Sequence, residues 1–140
     1  MPSHSNNVRA AALLGAACGL RTFTPPATLA ARGRLPISDA QRKLLISAAI
    51  GELITDKLPF TPARTTPLPY LGRVTAGAVC GGVVAGGTGA LAGAGAAATA
   101  TLVGYQSRRL ASKRISGTLV ALLEDAVAIG VANLAVRTSD

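Results

Sequence analysis

Four carboxylates and one guanidinium stand where an apolar sequence rarely keeps charge. Glu52 and Asp56 follow the run Leu44 to Gly51, Glu124 and Asp125 fall near the middle of the apolar segment 115–136, and Arg21 follows the apolar run Ala10 to Leu20. An ionised side chain at mid-membrane costs roughly 2.5–3.5 kcal/mol or more on insertion scales, so it implies a partner or a purpose. Two chemistries fit. Carboxylates that exchange protons or bind cations, with an arginine able to hold an anion, would form a pathway for an ion or small solute. Alternatively, Arg21 pairs with Glu52 or Glu124 and the charges clamp a helical bundle. Glu52 and Asp56, four residues apart, share one helix face, whereas the adjacent Glu124 and Asp125 point about 100° apart. Asp56, beside Lys57 and Pro59, also suits a membrane interface.

Other chemistries lack their residues. The single histidine, His4, lies in a polar tail, and the sequence contains no Ser/His/Asp set, metal-ligand cluster or nucleotide fingerprint. The reading is of a non-enzyme with no metal and no cofactor. The glycine runs are not phosphate loops, since no GK[ST] follows them. Cys18 and Cys80 lie in small-residue runs and read as buried thiols at helix contacts.

The elements that must position these charges are helices. Apolar residues make up 49% of the 140-residue chain and charged residues 14%, well below the quarter or so usual in soluble proteins. The chain has no tryptophan, and Phe23, Phe60, Tyr70 and Tyr105 are its only aromatic residues. Alanine and glycine bury too little area each to build a conventional soluble core, but in lipid they let helices approach closely. The three GxxxG runs, Gly15/Gly19, Gly77/Gly81 and Gly89/Gly93, read as packing seams within or between subunits. The net charge is +8, yet the basic residues sit between apolar segments, as they do at membrane flanks. No aromatic platform or recognition-helix pattern accompanies them, so nucleic acid is not expected as a partner.

The pattern predicts an all-α polytopic membrane bundle of four to five Gly/Ala-rich segments forming a single membrane domain over residues 1–140. The first, about 8–31, reads as a span and not a cleaved leader; it is broken by Pro25-Pro26, which remove two amide donors and disfavour helix just before them, with Arg21 at the break. The second, about 40–58, starts at an N-cap on Ser38 or Asp39 and ends at Pro59, followed by a proline-rich loop. Region 74–107 carries no charge and, at about 1.5 Å per residue, is too long for one crossing of a core of roughly 30 Å. It is expected to turn at Gly86-Gly87-Thr88-Gly89. The last segment is 115–136.

Gly15 to Gly19 resembles Gly89 to Gly93, and each precedes an acid in the following helix at a similar distance. Halves 8–58 and 88–137, joined by 59–87, would then be an inverted repeat with its site at the repeat interface. Counting five crossings groups Arg9 with Lys57, Arg64, Arg73, Arg108, Arg109, Lys113 and Arg114, and favours a cytoplasmic N-terminus.

Gly19-Leu20-Arg21-Thr22-Phe23-Thr24-Pro25 and Glu52-Leu53-Ile54-Thr55-Asp56-Lys57-Leu58-Pro59 together resemble a bacterial membrane-protein family of unknown function, with G-x-R-x-F-x-P and E-x-x-x-D-K-x-P motifs. The resemblance implies a multi-pass protein of the bacterial inner membrane and draws attention to Arg21, Pro25, Glu52, Asp56 and Lys57. It implies no activity. The leading expectation is a small membrane transporter or channel, dimeric because so short a chain encloses little pathway alone. Its pathway would be Arg21, Glu52, Asp56, Glu124 and Asp125, and its partners membrane lipid, a second copy and a small solute or ion. The alternative is a non-transporting scaffold or lipid-binding assembly factor.

Overall fold

A computed structural model of the chain describes residues 3–56, 66–111 and 113–138. Five helices account for most of them: α1 (His4–Leu20), α2 (Thr24–Ala31), α3 (Asp39–Thr55), α4 (Pro67–Ala111) and α5 (Gly117–Thr138). No strand occurs among the described residues.

Local chemistry sets the helix ends. The Ser3 side chain accepts from the Asn6 amide at the start of α1. Ser38 and Gln41 form a reciprocal capping box at the start of α3, satisfying two orphan amides at once. Beyond α2, Gly33 adopts φ +67°. Its amide donates to Ala30 O at 3.0 Å and that of Arg34 to Leu29 O at 2.9 Å, the paired bonds of a Schellman cap that glycine admits without steric cost.

The break after α1 lies at Arg21 to Phe23, so Arg21 stands at the break and the proline pair follows it. Pro25 and Pro26 fall in the first turn of α2, where the missing amides would be unbonded in any case. The prolines therefore start the second helix, and the residues before them carry the break.

The long charge-free region turns where its glycines predict. Within α4, Ala85 (φ −139°, ψ 23°) and Gly86 (φ 62°, ψ −147°) leave the helix. The arms on either side, 67–84 and 87–111, fold back on each other. A Cβ built on Gly93 would collide with the Gly77 carbonyl, and one on Gly89 with that of Gly81; along an unbroken helix those pairs would lie about 24 and 12 Å apart. Only glycine at Gly77, Gly81, Gly89 and Gly93 permits this approach.

Helix α1 enters the same seam. A Cβ on Gly15 would strike the Gly93 backbone, and one on Gly19 would come within 2.5 Å of Ala97 O. The constant offset makes α1 parallel to the second arm of α4. An inverted repeat requires these two helices to be antiparallel, so the packing overturns that expectation. The cause is α2. Arg21 meets Asp125, while Arg32, further along, meets Asn133, so α2 runs parallel to α5. Leu14 of α1 and Leu29 of α2 share one core cluster with Ala132, Ala135 and Val136 of α5. Helix α2 thus turns back beside α1 instead of extending it. The start of α1 consequently lies at the opposite end of the bundle from Arg108, Arg109, Lys113 and Arg114. The charge count that grouped Arg9 with them no longer applies.

Apart from Leu14, Leu29 and a few valines, the apolar interior is built of small residues, and most large apolar residues lie outside. Ala10, Ala11, Ala97, Ala128, Ala132 and Ala135 are fully buried, whereas Leu44, Leu68, Leu91 and Leu123 are each at least 62% exposed. Two helices, α4 and α5, are long and apolar enough to cross a membrane.

Candidate functional site

At Leu20 the helical hydrogen bonding of α1 runs out, and the chain must satisfy two helix ends inside a bundle. Arg21 is extended (φ −142°, ψ 116°). The amides of Thr22 and Phe23 donate to Glu52 Oε1 at 2.7 Å and Oε2 at 2.9 Å. Phe23, the N-cap of α2, has no side-chain cap of its own, so a carboxylate from α3 supplies it. At the other lip of the break, Gly19 O accepts from Arg73 Nη1 at 2.9 Å and from Thr101 Oγ1 at 3.2 Å, and Leu20 O from Arg73 Nη1 at 3.4 Å. The signs suit the backbone dipoles: a cation stands at the C-terminus of α1 and an anion at the N-terminus of α2.

Arg21 lies between these caps. Its Nη1 donates to Asp56 Oδ2 and its Nη2 to Asp125 Oδ1. The Arg21 side chain has no solvent exposure, and those of Asp56 and Asp125 retain 8% and 10%. Asp56 is the C-cap residue of α3 and Asp125 lies within α5. Arg73 Nη2 stands 4.0 Å from Glu52 Oε1, linking the caps. A single cluster therefore joins α1, α2, α3, α4 and α5. Among the described residues, Arg21 Nε and Thr24 Oγ1 are buried without a hydrogen-bond partner.

Of the residues singled out in the sequence, Arg21, Glu52, Asp56 and Asp125 meet here. Their pairing differs from expectation, because Arg21 takes Asp56 and Asp125, while Glu52 binds backbone amides. Glu124 lies apart and pairs with Arg108 at 3.4 Å; its side chain points away from that of Asp125, as adjacency on a helix requires. Sequence reasoning missed Arg73 and Thr101. Arg73 was assigned to a membrane flank, yet it is buried. It precedes Gly77 and Gly81 at four-residue intervals and so belongs to the stripe that packs inward. Thr101 stands eight residues beyond Gly93 on the equivalent stripe of the second arm.

Cys18 and Cys80 lie near the cluster, both buried and unbridged, with sulfurs 3.9 Å apart across α1 and α4. Among the described residues, no group of three or more His, Cys, Asp or Glu side chains could hold a metal ion.

The chemical consequence is a buried network that binds both ends of the break. Glu52 and Arg73 answer needs created by the break, Asp56 and Asp125 answer Arg21, and the central guanidinium is shut off from solvent. Removing one partner of a buried pair typically costs about 3–5 kcal/mol. Comparisons with protein-family models, curated proteins and solved structures give no match. The two stretches that carry the resemblance noted in the sequence meet in space, since Arg21 from one engages Asp56 from the other, and Thr22 and Phe23 engage Glu52; Lys57 and Pro59 lie outside the described residues.

Proposed function

We propose that the chain is a multi-pass membrane protein that works as a non-transporting scaffold, with its buried charges acting as a clamp on a broken helix. The membrane placement is supported by the inverted distribution of side chains, alanine and glycine inside and leucine, isoleucine and valine outside, which suits lipid as the surrounding solvent. Helices α1 and α3, each 17 residues and about 25 Å long, would cross with the two arms of α4 and with α5. Helix α2 would penetrate part of the way. The resemblance noted in the sequence is the support for a bacterial inner membrane as its setting.

The observation that carries the scaffold reading is the fully buried Arg21, held by carboxylates from two further helices. In this arrangement the cluster fixes five elements and offers a solute no open face on its central charge. The transport reading retains one specific support: a discontinuous helix with charged groups at both of its ends is also how many transporters build a binding site.

Purified protein in liposomes separates the two. The scaffold reading expects no proton, cation or anion flux above that of protein-free vesicles. Flux in the wild type that disappears in Asp125→Asn, with helicity and assembly unchanged, would establish the transport reading instead.

A further inference from the structure

Helices α2, α3 and α5 leave a groove of 310 Å³ between them, at the lower end of the size range for small-molecule sites. Its walls are largely apolar: Ala27 and Ala31 of α2, Ile46, Ile50 and Leu53 of α3, and Ile129 of α5. Ile46, Ile50 and Ile129 are half-exposed, so the groove is open along the side that would meet lipid. Along α2 it runs from Thr24 to Arg32, about 12 Å at 1.5 Å per residue. That is most of one leaflet, half of a hydrocarbon core of roughly 30 Å. Its inner end adjoins Arg21, which meets Asp125 near the middle of α5, and its outer end is at Asn133, nearer the end of α5. The groove therefore leads from the middle of the bundle toward one membrane surface.

Arg32, at the outer end, is the one formal charge among the described residues that line the groove. Its Nη2 donates to Asn133 Oδ1 at 3.3 Å, and Asn133 Nδ2 donates to Ile129 O at 2.9 Å. A neutral amide tied to α5 thus holds the guanidinium at the mouth. Among the described residues Arg32 has no carboxylate partner, and the bond to Asn133 uses one of five guanidinium N–H donors. The remaining fork suits the paired oxygens of a phosphate. The lining as a whole carries one uncompensated positive charge. An anionic phospholipid would neutralise it, whereas a zwitterionic one brings a cation of its own.

We propose that this groove holds one acyl chain of an anionic phospholipid, whose phosphate accepts hydrogen bonds from Arg32. The site rests on the membrane placement proposed above and gives the scaffold a defined lipid contact. One basic residue near a membrane surface changes affinity for anionic lipid by about five-fold.

The test is native mass spectrometry of the full chain in neutral detergent, titrated with dioleoyl phosphatidylglycerol or dioleoyl phosphatidylcholine. Phosphatidylglycerol should bind about five-fold tighter, and Arg32→Gln should remove that preference while leaving phosphatidylcholine unchanged. Ile50→Trp, filling the groove from its half-exposed wall, should weaken both lipids with helicity preserved. Thr24→Val, which exchanges a hydroxyl without a hydrogen-bond partner for a methyl, should change neither. Equal binding of the two lipids by the wild type overturns the proposal, as does a preference that survives Arg32→Gln. Unchanged binding in a folded Ile50→Trp overturns it too, as does cross-linking of Ile50→Cys to a second chain. Binding lost in Thr24→Val would place a polar ligand group at the inner end, which an acyl chain does not supply, and would also overturn it. A protein that inserts in membranes without preferring phosphatidylglycerol removes the lipid site alone. Flux lost on Asp125→Asn removes the scaffold reading alone.

Discussion

Replacing Asp125 by leucine tests the energetics of the cluster. The Asp125 side chain is only 10% exposed among the buried Ala121 and Ala128 of α5, so the larger leucine adds an overpacking cost of about 1–3 kcal/mol to the charge effect worked below. That effect falls on Arg21: Nη2 loses its acceptor at a site without solvent exposure. Orphaning a buried charge costs about 3–5 kcal/mol. Because Asp56 still neutralises the guanidinium, the expected charge effect is near the lower limit, about 3 kcal/mol. Arg21→Met should cost a similar amount, since it leaves two carboxylates without their shared cation. The triple variant Arg21→Met/Asp56→Leu/Asp125→Leu removes all three charges together. Replacing a whole buried ionic group by apolar residues is often neutral or stabilising, so the triple variant should lose less than either single one. Reversible unfolding in mixed micelles, followed by helical circular dichroism, measures all three. Losses that add, with the triple variant the least stable, would refute the reasoning.

Other outcomes follow from the packing. Gly93→Ala should destabilise by about 1–3 kcal/mol, as overpacking does, because its Cβ would collide with the Gly77 carbonyl, whereas Gly95→Ala, which meets nothing within 4 Å, should be neutral or gain up to about 1 kcal/mol; parallel melts in micelles check both. Glu52→Gln removes the charge that receives the Thr22 and Phe23 amides, and charge-assisted bonds contribute about 1.5–3 kcal/mol; hydrogen exchange at those two amides should accelerate before exchange in α5 changes. Diamide, by taking two hydrogens from the thiol pair, should join Cys18 to Cys80 within one chain, read by mass spectrometry after alkylation; dimers linked through these cysteines would contradict their placement.

Much of the helical frame was legible because its signals are local. Ser38 with Gln41 marks the start of α3, and Gly86 marks the turn between glycine seams that meet residue by residue. The charged residues were legible as a set, since burial in apolar sequence is costly wherever the partners lie. Their pairing was not. Whether Arg21 meets Asp56 and Asp125 or Glu52 and Glu124 depends on the rotation of α3 and α5 about their axes, and adjacent acids give the sequence no preference. The direction of α2 was equally hidden. Prolines announce a break but not the angle at which the chain leaves it, and that angle decides whether α1 runs parallel or antiparallel to the second arm of α4. Arg73 was overlooked because a basic residue near a helix start resembles an interfacial anchor; its four-residue spacing to Gly77 was the signal that placed it inside.

The central claim is that Arg21 is held between α3 and α5 as a clamp. A charge exchange tests it most directly. Arg21→Asp alone gathers three carboxylates, and Asp125→Arg alone sets two guanidiniums together, so each should abolish the folded, membrane-assembled form. Combined, Arg21→Asp and Asp125→Arg restore one cation to two carboxylates, with the pair between positions 21 and 125 reversed, and the account predicts recovery of helicity and assembled yield well above either single variant. A combined variant no better than the worse single one would contradict it.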